Sequence, residues 1–112
     1  MISSVISSAF SGMAAQQARM DAIASNIANV DTPGYARKSV EMSTGPSGGV
    51  RAVTREVPAG PESGVDLASE MIDMIDTKMA YQANVAVMET GMDMWDMLMS
   101  ALDPKDRDDR WD

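Results

Sequence analysis

The chain has 112 residues, with 9 Lys and Arg against 17 Asp and Glu, a formal charge of −8, twelve Met, and neither Cys nor His. That length sets one compact unit, and the missing Cys and His exclude disulfides, thiol chemistry, zinc ribbons, iron–sulfur clusters, most hydrolytic triads and most transition-metal sites. Residues 1–57 carry a net +1 and residues 58–112 a net −9; with no concentrated basic patch, the chain is a poor partner for nucleic acid, whose phosphates must be neutralised.

Residues 1–18 hold no charged side chain. They lack the basic start of a signal peptide, and five Ser and two Gln interrupt any run long enough to span a membrane. No membrane span is expected, and export would need a route without a cleaved leader. The apolar spacing instead predicts an amphipathic helix over about Ser3–Asn29. Ile6, Met13, Met20 and Ile27 recur every seven residues, and Ile2, Ala9, Gln16, Ile23 and Val30 form the strip beside them. This is a heptad seam interrupted at Gln16, and Phe10 and Ala24 widen it. Asp31-Thr32-Pro33-Gly34 should then turn the chain, Pro33 fixing φ at the second turn position and Gly34 accepting positive φ at the third.

Ala36–Ser43 alternates with a period of two and reads as a strand. Thr44-Gly45-Pro46-Ser47-Gly48-Gly49 breaks it, Val50–Val57 reads as the partner strand, and residues 58–64 form a linker. From Leu67 the spacing becomes 4, 3, 4, 3 through Met71, Met74, Lys78, Tyr81, Val85, Met88, Met92, Trp95, Met99 and Leu102. Ten of these eleven positions are apolar, which predicts a coiled-coil helix about 55 Å long at 1.5 Å per residue. Asp66 is its expected N-cap, Glu70 faces the positive end of its dipole, and Pro104 ends it. Residues 103–112 should be a disordered acidic tail.

The expected fold is mainly α: two long terminal helices with heptad seams, a coiled-coil hairpin, and a small β-hairpin between them. Its parts are residues 1–35, 36–57, 58–64, 65–102 and 103–112. The seams can be buried only against one another or against other copies, because a long helix rich in Ser and Gln gains most of its stability from packing.

The segment Ser11–Arg37, SGMAAQQARMDAIASNIANVDTPGYAR, resembles the N-terminal signature of the bacterial flagellar axial proteins, the rod, hook and hook-associated family. Val65–Leu102, with VDLASEM, DMI and AYQAN, resembles that family's C-terminal segment. The likeness covers about two thirds of the chain and is greatest to the small proximal-rod proteins. Ser25 and Asp31 stand where the family usually has Asn, Gly91 interrupts the second helix, and the middle is short. The resemblance implies a structural subunit of the flagellar basal-body rod, in the periplasmic space. It would leave the cell unfolded through the flagellar type III export apparatus, then polymerise helically through its terminal helices. Its partners would be other rod and axial subunits and its own copies.

The assembly seam is thus read as Ile6, Phe10, Met13, Met20, Ile23 and Ile27 on the first helix. On the second it is Leu67, Met71, Met74, Tyr81, Val85, Met88, Met92, Trp95, Met99 and Leu102. The motif turn is Asn26, Asn29, Thr32, Pro33, Gly34 and Tyr35, as a structural turn or as a mark read by an export gate. The methionines suit gap-filling between helices. Met94 and Met97 lie off the seam and are candidates for contact between subunits. Asp73/Asp76 and Asp93/Asp96 read as a solvated face rather than as acid–base or Ca²⁺ pairs. Gln16 and Lys78 either fix register or sit exposed at the seam edge. Nothing points to an enzyme, a cofactor or a small-molecule substrate. The rival reading is a cytoplasmic coiled-coil adaptor or regulator that uses the same seams reversibly.

Overall fold

A computed structural model describes residues 2–103. It contains helix α1 (Ile2–Ala28), strands β1 (Arg37–Thr44) and β2 (Val50–Val57), and helix α2 (Leu67–Leu102). The expected elements are present to within one or two residues. The acidic tail and Pro104 lie outside the described residues, apart from Asp103.

The local chemistry explains the boundaries. α1 tightens at its end, where the amide of Asn29 donates to both Ser25 and Asn26 carbonyls at 3.2 Å and that of Thr32 to Asn29 at 3.0 Å, as helix ends do to satisfy their last carbonyls. The amide of Tyr35 then closes a turn on the Thr32 carbonyl at 3.2 Å. Gly34, the third residue of that turn, has φ 74°, a conformation that favours Gly. At the start of α2, Asp66 accepts from the Ala68 amide at 3.1 Å and from the Ser69 hydroxyl at 3.2 Å, which caps the helix as its position predicts.

β1 and β2 pair antiparallel from Arg37↔Val57 to Thr44↔Val50. The hairpin lies along α1 and is held at both ends. Asn26 grips the backbone of Lys38, and the Val50 amide donates to Ser11 Oγ at 3.0 Å.

α1 and α2 run antiparallel. Asn26 meets Glu70, Gly12 meets Asn84, and Val5 and Ile6 meet Gly91. The contacting residues of α2, Glu70, Asn84 and Gly91, and the buried Thr77, are spaced seven apart. They are polar or small, and they form a different strip from the apolar one in the sequence. A Cβ on Gly12 would lie 2.6 Å from Asn84 Oδ1, so the Asn84 side chain lies directly against the backbone of α1 there. The apolar seams therefore do not bury one another face to face. Spacing shows that a stripe exists, while the choice of partner depends on side chains seated against glycine backbone and on polar groups that find each other.

The molecule is a slat of 80 × 27 × 14 Å. Among the described residues only Ala9, Ala15, Ala22 and Ile23 are buried apolar side chains, and Asn26, Glu70 and Thr77 are the buried polar ones.

Candidate functional site

The first candidate is the junction built by the motif turn. Asn26, fully enclosed, ends the inward face of α1. Its Oδ1 accepts from the Lys38 amide and its Nδ2 donates to the Lys38 carbonyl, both at 2.8 Å. The side chain thus behaves as a neighbouring strand would, and it pairs the free edge of β1. The same Nδ2 donates to Glu70 Oε1 at 3.2 Å, and the Tyr35 hydroxyl donates to Oδ1 at 3.3 Å. Ser25 Oγ lies 2.8 Å from that hydroxyl. Asn29 Nδ2 donates to the Ser25 carbonyl, Thr32 Oγ1 donates to Asn29 Oδ1, and the Asn29 carbonyl accepts from Ser63 Oγ. The Gly64 amide donates to the Tyr35 carbonyl at 3.2 Å. The turn therefore seats the linker that leads into α2.

Glu70 lies in the first turn of α2, as expected, and is fully buried there. Its Oε1 pairs with Arg37 Nε, while Oε2 is enclosed without a partner. Asp73, expected on a solvated face, bridges Arg37 Nη2 at 3.5 Å and Arg19 Nη2 at 3.6 Å. The reason is the same for both acids: the inward strip of α2 passes through positions 70 and 73, where α1 and β1 deliver two guanidinium groups. Asp76, Asp93 and Asp96 are exposed. Gln16 is half-buried, with its amide oxygen unpaired and its amide nitrogen 3.7 Å from Met42 Sδ, whereas Lys78 is exposed.

Apart from the enclosed Glu70 Oε2, the junction's polar groups are taken up by one another. It ties three elements together at one end of the slat and presents no nucleophile beside a base. Among the described residues, no group of His, Cys, Asp and Glu could hold a metal ion, and no helix is long and apolar enough to cross a membrane.

The second candidate is the apolar surface. On α1, Ile23 is buried, Ile6, Met13, Met20 and Ile27 are half-buried, and Phe10 is 63% exposed. On α2, Val85 and Met88 are half-buried. Leu67, Met71, Met74, Tyr81, Met92, Trp95, Met99 and Leu102 are exposed. The two stripes meet edge to edge along one flank of the helix pair. Met20 lines a groove of about 420 Å³ with Tyr81 and Val85, and Ile6 and Phe10 line one of about 410 Å³ with Trp95. A second apolar strip follows Ile72, Met79, Val87, Met94 and Met97, all exposed. Near its far end Val87 and Met94 join Ile2 and Val5 in a groove of about 340 Å³. Of this strip, the sequence marks Met79 among the methionines that suit gap-filling between helices, and Met94 and Met97 as off-seam candidates for contact between subunits. The apolar spacing does not reveal Glu70, Arg37, Arg19, Gly12 and Asn84 as the inward contact; Glu70 and Asn84 on α2 and Gly12 and Arg19 on α1 follow heptads of polar and small residues offset from the apolar stripe, whereas Arg37, in β1, carries no such signal.

Two family descriptions match the chain. "Flagella basal body rod protein" covers residues 6–35, and "Flagellar basal body rod FlgEFG protein C-terminal" covers residues 62–101. Together they span more than half of the sequence, in N-to-C order. The chain belongs to the flagellar basal body rod family. No individual curated protein matches it. The first match contains most of α1 and the whole motif turn, and the second runs through α2 almost to its end. The β-hairpin lies between the two. Family membership makes this rod-family chain a structural subunit of the basal body, with other rod subunits as its partners.

Proposed function

We propose that the chain is a wall-forming subunit of the flagellar rod that assembles helically through α1 and α2. One observation carries this reading: α2 exposes apolar side chains along nearly its whole length, while four apolar side chains are buried among the described residues. A helix that is apolar on most of its circumference is normally enclosed by neighbours, and an exposed apolar area of that extent marks an interaction surface. In this reading, other axial subunits and further copies cover the sequence-predicted seam residues from Ile6 to Ile27 and from Leu67 to Leu102. The motif turn from Asn26 to Tyr35 holds the helix pair at one end.

The chain would reach the rod through the flagellar type III apparatus and take its place in the periplasmic part of the basal body. A helix pair that stays loose until neighbours bury its flanks suits passage in an unfolded state. Deletion of the gene, followed by swimming assays and microscopy of isolated basal bodies, tests the proposal. Loss of motility with absent or truncated rods is expected. Normal rods, with the protein confined to the cytoplasm, would overturn it and favour the adaptor reading.

A further inference from the structure

The two apolar strips of α2 lie on opposite sides of that helix. Positions two apart on a helix differ by about 200° at 3.6 residues per turn, so Met74 and Ile72 point nearly opposite ways, as do Met92 and Met94. At Gly91 the strip facing α1 runs between Met92 and Met94, while Ile72 and Met79, two positions from the buried Glu70 and Thr77, point nearly away from α1. Met74, Ile72, Met92 and Met94 are each at least 36% exposed. The slat is only 14 Å thick, so each copy offers two long apolar flanks that differ in sequence.

Charge decides how they are matched. Lys78 is the only cation in α2. It is exposed and lines the groove of the Met74 flank beside Tyr81 and Val85. Asp76, two positions earlier, is exposed at the Ile72 flank at nearly the same height along the helix. Neither has a partner within the described chain. We infer that the Met74 flank of one copy packs against the Ile72 flank of a second copy lying parallel to it with little axial shift, so that Lys78 of one faces Asp76 of the next. Such a contact joins unlike surfaces and leaves a free flank of each kind at the two ends, so it propagates as an open array rather than closing as a two-fold dimer. A contact between two Met74 flanks would bring Lys78 to a surface with no acid to receive it.

This inference rests on the assembly reading and names its partner as a second copy of the chain. The test is sedimentation velocity on the full-length chain across a dilution series. Lys78→Glu sets an acid against Asp76, and Asp76→Lys sets two lysines together; each alone should weaken self-association about tenfold, while Lys78→Glu/Asp76→Lys in one chain restores it to within about threefold, as like and unlike charges placed opposite one another require. A second pair of variants reads the apolar strips. Met74→Glu and Ile72→Glu should each stop growth alone, yet a mixture of the two should form a complex of two copies, because each retains the flank that the other lacks. That recovery also shows that both variants fold. A double reversal as weak as the single ones, a mixture that stays monomeric, or Ile72→Glu alone still forming pairs would overturn the inference. If the unaltered chain never self-associates, the flank pairing fails too, together with the self-assembly of the proposed function.

Discussion

Replacing Arg37 probes the junction most sharply. Glu70 is fully enclosed, and its Oε1 accepts from the Arg37 guanidinium and the Asn26 amide. Arg37→Met leaves a buried carboxylate with a single neutral donor, a change that typically costs about 3–5 kcal/mol. Glu70→Gln is milder, at about 1–2 kcal/mol. The amide oxygen still accepts from Arg37 and Asn26, and Arg37, 30% exposed, keeps Asp73 and water. If the damage done by Arg37→Met is the stranded charge, Glu70→Gln in the same chain removes it, and the pair should couple by about 2–3 kcal/mol. Urea denaturation followed by far-ultraviolet circular dichroism supplies the four stabilities of the cycle. All four proteins are compared at one concentration, chosen where helicity has reached its plateau. A cost for Arg37→Met of only about 1 kcal/mol, the value of a surface ion pair, would show that no charge is stranded at Glu70. So would a double variant no more stable than Arg37→Met.

Other substitutions test the remaining contacts. Asn26→Ala strands the amide and carbonyl of Lys38 and should lower stability by about 2–4 kcal/mol, with faster hydrogen exchange in β1 as the local sign. Gly34→Ala forces a side chain into a left-handed backbone and should cost about 1–2 kcal/mol in thermal unfolding; Gly60→Ala, where φ is ordinary and the space is open, should be close to neutral. Gly12→Ala meets Asn84 Oδ1, a side-chain end that can swing aside, while the helix gains about 1 kcal/mol. The two effects nearly cancel, and in an Asn84→Ala background the gain should appear undiminished as a higher urea midpoint. Gly12→Leu finds no such room and should separate the helices, seen as lost protection in α1.

The elements were legible because their signals are local. Seven-residue repeats, Pro33-Gly34 and Asp66 each act within a few residues, and the structure places α1, the turn and the capped start of α2 where those residues require. The motif turn was legible too, through the conformation that Gly34 alone supplies. What spacing did not reveal was the direction in which each helix faces. Glu70 read as a dipole partner and Asp73 as a solvated acid, because the guanidinium groups that bury them come from residues 37 and 19, far away in sequence. Gly91 read as an interruption of α2. It is a close-approach point, where an added Cβ would lie 3.0 Å from Ile6 Cγ1. The methionine stripe drew attention because it is apolar, yet the inward strip is the one with Gly, Thr, Asn and Glu. Side chains seated against glycine backbone and paired polar groups settle the contact within the chain and leave the larger apolar faces outward.

In the proposed assembly, those outward faces are covered by other subunits. Far-ultraviolet circular dichroism and sedimentation velocity on the same dilution series of the purified full-length chain test it most directly. Helicity should rise with concentration in step with the growth of larger species, and both should fall together on dilution. A fully helical monomer that keeps its helicity at every dilution and never associates would mean that the outward faces need no neighbour.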